Sequence, residues 1–213
     1  MAKVKFCGIT RIEDAREAVR LGAWAIGLNH SPESGRRCDP ATAAQISAEL
    51  RRQILIAGVF VNATLEEIAK AVEDESLALV QLHGDEGPDF CRAVAARTGA
   101  KVVKAIRVRS AAEIHASEAY RTDFHLFDTY RPGRHGGTGE IFDWELVRDR
   151  NSQIPAILAG GLTPGNVAGA IEVARPFAVD VSSGIESSPG IKDHALMAAF
   201  AAAAGLSVPA AAS

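Results

Sequence analysis

The stretch Leu55-Ile56-Ala57-Gly58-Val59-Phe60-Val61-Asn62-Ala63-Thr64-Leu65-Glu66-Glu67 decides the fold. Its first part, Leu55–Val61, is apolar throughout with no wet face, as in a strand covered on both sides. Thr64 is followed three residues later by Glu67, the pattern in which hydroxyl and carboxylate cap each other's backbone at a helix start. A helix is therefore expected over Leu65–Glu73, and a second apolar run, Leu79–Leu82, follows it. Strand, helix and strand in direct succession read as a unit whose two strands lie parallel.

Working outward, the same alternation fills the chain. Further strands are expected at Val4–Cys7, Ala25–Leu28, Val102–Ile106, His125–Asp128, Ala156–Ala159 and Ala178–Val181. Amphipathic stretches lie between them at Ile12–Leu21, Ala41–Leu50, Phe90–Arg97, Ala111–Ala119 and Pro164–Ala174. Thr163-Pro164 offers the last of these an N-cap with proline in the first turn. Successive strand starts are 21, 30, 24, 23, 23, 31 and 22 residues apart, each interval holding one strand, one helix and short turns. Eight such units favour a closed (β/α)8 TIM barrel over an open sheet. One domain is expected over residues 1–206, with 207–213 a frayed tail carrying Pro209 and three alanines. The long intervals follow strands two and six, so enlarged, functional loops are expected there.

Composition excludes several classes. The 213 residues carry a net charge of −3 with both signs interspersed, so there is no basic stripe for nucleic acid or a membrane surface. No apolar run approaches the ~20 residues of a membrane span, and the N-terminus has no signal-peptide core. Cys7, Cys38 and Cys91 cannot all pair and fit no zinc spacing, so a reduced, cytoplasmic, metal-free protein is expected.

Barrel strands present their C-terminal ends on one face, where barrel chemistry gathers. Cys7 ends the first strand in Lys3-Val4-Lys5-Phe6-Cys7-Gly8-Ile9-Thr10, and Asp128 ends the sixth in Leu126-Phe127-Asp128. A thiol and a carboxylate at strand ends are a candidate base and acid for one cavity. Cys38 and Cys91 are expected to be core residues. After strand seven comes Ala159-Gly160-Gly161-Leu162-Thr163-Pro164-Gly165, and after strand eight Ser182-Ser183-Gly184-Ile185-Glu186. Glycines let backbone N–H groups approach an anion, and barrels commonly hold phosphate between these two loops. Gly160, Gly161, Ser182, Ser183 and Gly184 are the candidate phosphate site.

These motifs, taken in order, resemble the phosphoribosylanthranilate isomerase family of tryptophan biosynthesis. The resemblance runs from Val4–Thr10 through Gly58–Asn62, Val80–Gly84, Leu126–Asp128, Gly136–Gly139, Phe142–Trp144 and Ala159–Leu162 to Val179–Glu186 and Pro189–Asp193. It implies an aldose–ketose isomerisation, an Amadori rearrangement of N-(5-phosphoribosyl)anthranilate to the 1-deoxyribulose ketose, with no cofactor. Carried over residue by residue, it makes Cys7 the general base and Asp128 the general acid. The roles need a carboxyl that keeps its proton and a thiol whose pKa a nearby cation lowers from about 8.5. The resemblance also assigns Arg36 to the anthranilate carboxylate, and Gln81, His83 and Asp180 to the cavity wall. For Asp180, capping the turn that follows is an equal alternative. Arg37 is expected to be a solvated loop charge. Asn29 and His30 depart from the family, which carries bulky apolar residues there. The basic segment Tyr130–His135 is a candidate lid. The implied partner is a small phosphorylated aminosugar, and either a monomer or a homodimer fits. The histidine-pathway aminoaldose isomerase, the near rival, uses aspartate where Cys7 stands, and a non-catalytic phosphosugar sensor would need neither Cys7 nor Asp128.

Overall fold

A computed structural model describes residues 1–129 and 144–207. Eight parallel strands close into a barrel: β1 (Lys3–Cys7), β2 (Ala25–Asn29), β3 (Leu55–Phe60), β4 (Leu79–Leu82), β5 (Lys101–Val108), β6 (Phe124–Thr129), β7 (Ala156–Ala159) and β8 (Ala178–Val181), with β8 pairing back onto β1. Around them lie α1 (Ile12–Arg20), α2 (Pro40–Leu50), α3 (Leu65–Glu75), α4 (Pro88–Thr98), α5 (Ala111–Ala116), α6 (Glu145–Arg148), α7 (Val167–Ala174) and α8 (His194–Ala203). The capping box of Thr64 and Glu67 starts α3 as expected. A similar box of Ser110 and Glu113 starts α5.

Period-two alternation splits the strands into two cores. Outward residues such as Val4, Phe6, Ile26, Leu28, Ile56 and Val80 pack under the helices, Phe6 edge-on to Phe200 of α8. Inward residues, including Ala25, Ala57, Leu79, Val103, Leu126, Ile157 and Ala178, fill the barrel. Lys5 and Cys7 of β1, Gly27 of β2, Gln81 of β4, Asp128 of β6 and Asp180 of β8 share the inward parity, so polar side chains run from the barrel centre towards the C-terminal strand ends.

The structure revises the expected boundaries in places. Helix α7 begins at Val167 and not at Pro164, with Asn166 at its N-cap. Thr163 O accepts from both Asn166 N and Val167 N, closing a turn over Pro164-Gly165 that holds these residues outside the helix. The stretch expected as one helix over Ala111–Ala119 ends at Ala116 and tightens into a 3-10 turn over Ser117–Ala119. Beyond β8 the chain makes a short antiparallel hairpin, β9 (Glu186–Ser188) and β10 (Ile191–Lys192), before α8. The candidate lid Tyr130–His135 and the tail from residue 208 onward lie outside the described residues. Among the described residues no helix is long and apolar enough to cross a membrane.

Candidate active site

Strand β1 supplies the first part of the site. Lys5 is fully buried and its Nζ lies 2.8 Å from Asp180 Oδ1, across the register pair that joins β1 to β8. Two residues on, Cys7 faces the same way and is half-buried. Gly27, the register partner of Cys7 on β2, carries no side chain because none fits: a Cβ there would sit 2.8 Å from Cys7 Sγ and 3.1 Å from Lys5 Nζ. Burial works against the Lys5 charge, but Asp180 and Cys7 more than offset it and hold its pKa above the ordinary lysine range. For Cys7 the balance is opposite to the sequence expectation. Burial pushes the thiol pKa up and Asp180 adds to it, while Lys5 and Lys192 pull it down without cancelling the rise. Asp180 therefore pairs with Lys5, and among the described residues no bond from its side chain to the turn after β8 is seen.

The second part joins the enlarged loop after β2 to the β9–β10 hairpin. Arg36 grips Glu186 through two edges, Nε to Oε1 at 2.8 Å and Nη2 to Oε2 at 2.8 Å. Lys192 Nζ lies 2.8 Å from the same carboxylate and donates to Ser182 O at 3.1 Å. Burial would raise the Glu186 pKa, yet the two cations hold it below the usual carboxylate range. Burial dominates at Lys192 and lowers its pKa, with Glu186 opposing. The loop that delivers Arg36 is knitted by Asn29, which donates to Ser34 Oγ at 3.0 Å and accepts from Ser31 N at 2.9 Å. His30 turns the other way, stacking on Phe60 at 4.7 Å and reaching Glu75 of α3. The two residues that depart from the family pattern thus shape the loop and the helix layer. Arg37 is exposed, as expected.

The third part is a chain across β4 and β6. Gln81 Nε2 lies 2.9 Å from His83 Nδ1, and His83 Nε2 lies 3.1 Å from Asp128 Oδ2. With the amide donating to Nδ1, the ring carries its proton on Nε2 and donates to Asp128. Arg107 of β5, in register with Asp128, stands between them and donates to His83 O at 3.2 Å. Beneath His83, a buried pair of Lys104 and Glu86 (2.7 Å) fixes the loop, Glu86 also accepting from Asn62 N and Gly84 N.

The fourth part is the two glycine loops. Gly160 and Gly161 adopt φ of 86° and 64°, a backbone that side chains rarely take. Asn166 pins their loop, donating to Gly161 O and accepting from Thr163 N. A Cβ on Gly184 would collide with the Leu162 carbonyl, so the loop after β8 lies directly on the loop after β7. Ser182 closes towards β1, its Oγ 3.0 Å from where a Cβ on Gly8 would be.

The candidate site residues Cys7, Arg36, Gln81, His83, Asp128 and Asp180 and the two glycine loops stand at this end of the barrel or in its loops. Reading the sequence missed Lys5, Gly27, Glu186 and Lys192. Lys5 carried a signal: a lysine on an inward strand position, two residues before Cys7. Cys38 and Cys91 are buried in the helix-side core, and burial pushes the Cys38 pKa up to about 12. A hollow of about 310 Å³ lies at the opposite end of the barrel between Met1, Lys3, Trp24 and Leu206. It holds none of the carboxylates, thiols or imidazoles described above.

The chain matches known proteins over most of its length. The family N-(5'-phosphoribosyl)anthranilate (PRA) isomerase matches residues 4–203. The N-(5'-phosphoribosyl)anthranilate isomerase of Citrifermentans bemidjiense is 47% identical over 193 residues, 91% of this chain and 92% of the relative. The crystal structure of phosphoribosyl anthranilate isomerase from Thermotoga maritima superposes with a TM-score of 0.88 at 43% identity, covering 96% of this chain and 98% of its own. A phosphoribosyl anthranilate isomerase crystallised with reduced 1-(o-carboxyphenylamino)-1-deoxyribulose 5-phosphate superposes with a TM-score of 0.85 at 42% identity, covering 96% and 98%.

Proposed function

The chain belongs to the N-(5'-phosphoribosyl)anthranilate isomerase family of tryptophan biosynthesis, and on that premise we propose that Cys7 and Asp128 carry out its reaction as an Amadori rearrangement. The observation that supports this most is the shared inward placement of thiol and carboxylate at the C-terminal ends of β1 and β6 of one closed barrel. The substrate is N-(5-phospho-β-D-ribosyl)anthranilate and the product 1-(2-carboxyphenylamino)-1-deoxy-D-ribulose 5-phosphate. The related enzyme that binds a reduced form of this ketose supports the choice.

Substrate enters with its phosphate on the backbone of Gly160, Gly161 and Gly184 and on Ser182 and Ser183. Its anthranilate carboxylate lies against Arg36, whose guanidinium plane Glu186 fixes in advance through Nε and Nη2. The His83 N–H bond occupies Asp128 Oδ2, so the acid proton belongs on Oδ1, facing the furanose ring oxygen. That oxygen takes the proton as the C1–O bond breaks, and the nitrogen lone pair makes the C1=N iminium. The iminium acidifies the C2 hydrogen, and the Cys7 thiolate removes it to leave a neutral enolamine. Ketonisation carries the proton of the Cys7 thiol to C1 and that of the C2 hydroxyl to Asp128, which restores thiolate and carboxyl. The iminium is the electron sink, so these steps draw on no group outside the chain and the substrate.

A correctly placed acid or base contributes ~10²–10⁴-fold. Cys7→Ser and Asp128→Asn should each reduce kcat by that order while the reduced ketose phosphate still binds. Parent-like turnover in either variant refutes the assignment.

A further inference from the structure

We infer that Lys5 is the positioning cation of the proton-abstracting step: held at the barrel centre by Asp180, it is the counter-ion of the Cys7 thiolate. The inference rests on the reading of Cys7 as base and adds to it the group that makes the base.

The geometry leaves little choice of roles for Lys5. It is fully buried at an inward position of β1, where apolar residues fill the neighbouring strands. A lone ammonium there would be costly, and Asp180 compensates it at 2.8 Å. A purely structural pair would sit as well behind an apolar residue. Here it sits behind a thiol, and the vacant Cβ position of Gly27 lies 3.1 Å from Nζ and 2.8 Å from Sγ, so both atoms close on the same point of β2. Nζ thus pairs with Asp180 and lies near enough to Cys7 for their charges to interact.

The surrounding charges give this sharing a direction. Facing Cys7 are Lys5 from β1, Asp180 from β8, Lys192 from β10 and Arg36 from the loop after β2. Glu186 closes the set behind Arg36 and Lys192. Three cations against two carboxylates leave one positive charge, and a thiolate brings the cluster to neutrality. Burial, and after it Asp180, which competes with the thiolate for Lys5, hold the thiol above its ordinary range before substrate arrives. Lys5 and Asp180 therefore act on the thiol with opposite signs, Lys5 favouring the thiolate and Asp180 opposing it.

The experiment is the rate of Cys7 carbamidomethylation against pH, read at the Cys7 peptide, in the parent, Lys5→Met, Asp180→Asn and Lys5→Met/Asp180→Asn. Removing a cation or anion a few ångströms away moves a titration by about 1 pH unit or more. The alkylation midpoint should rise by that amount in Lys5→Met and fall in Asp180→Asn, with the neutral double variant between them. Midpoints equal to the parent's in both single variants, or moving in the same direction, would overturn the inference. If Lys5→Met does not fold, Asp180→Asn decides alone, a lowered midpoint supporting the inference and an unchanged one defeating it. The readout is independent of turnover, so failure of Cys7 as base would show separately, as parent-like kcat in Cys7→Ser.

Discussion

At the scale of single residues, the account turns on what touches Cys7 and Asp128. A thiol held up by burial and Asp180 is mostly protonated near neutrality, and the base must be its anion. As pH rises through the thiol midpoint the active form accumulates, so kcat/KM should climb on the alkaline side of pH 7. A flat profile from pH 7 to about 9 would contradict the thiolate. Gly27→Ala should be severe for its size, because its methyl carbon would meet Sγ at 2.8 Å. Overpacking of this kind costs about 1–3 kcal/mol and displaces the base, so both the unfolding midpoint and kcat should drop. His83→Ala should lower kcat about tenfold, since its ring lies 3.1 Å from the Asp128 carboxylate. A pure KM effect would reassign it to binding. Arg36→Ala should instead raise KM, and unchanged kinetics would remove Arg36 from the site. Cys7, Asp128 and the glycine loops were legible because strand ends can be counted along the sequence. Glu186 and Lys192 were not, because their partners lie about 150 positions away or across a hairpin that has no strong pattern of its own.

At the scale of elements, the strands and their loops were the most readable features. The continuous apolar run Ala156–Ala159, and Leu79–Leu82 with only Gln81 breaking it, match the observed strands residue for residue, because burial on both faces writes a strong apolar signal. Helix starts were read correctly where a side chain caps the backbone, as at Thr64, and misread at Thr163, where local turn bonding prevails over the proline signal. The four-residue α6 is too short to show a period. Buried ion pairs that lock loops were invisible, and Lys104–Glu86 is one of them. Burial would raise the Glu86 pKa, but Lys104 and the Asn62 N–H hold it below the unfolded value near 4.3. Its stabilisation is therefore complete above about pH 4.3 and is lost as pH falls through the lower folded-state value. Glu86→Gln leaves Lys104 buried and unpaired, which should cost about 3–5 kcal/mol at pH 7. It should also flatten the acid limb of stability against pH, measured by denaturant unfolding. Equal acid sensitivity in parent and variant would remove Glu86 from that transition.

At the scale of the whole molecule, closure of the barrel is what makes a site of residues far apart in sequence. Register between β8 and β1 places Asp180 opposite Lys5, and register between β1 and β2 places Gly27 opposite Cys7, so the seam of the barrel and the base are built together. Across the rim, β4 and β6 bring His83 to Asp128, while the loops after β7 and β8 lie against each other with their glycines. Phosphate at one edge and the anthranilate carboxylate at Arg36 would then hold an aminosugar across the mouth, with its C1–C2 bond over the centre. The most direct measurement is a crystal structure of this protein with reduced 1-(o-carboxyphenylamino)-1-deoxyribulose 5-phosphate. The account predicts Cys7 Sγ within about 3.5 Å of C2 and Asp128 Oδ1 in hydrogen-bond reach of the C4 hydroxyl, the former ring oxygen. A ligand lying with C2 out of reach of the sulfur, or with Asp128 and Cys7 touching no common stretch of the sugar, would contradict it.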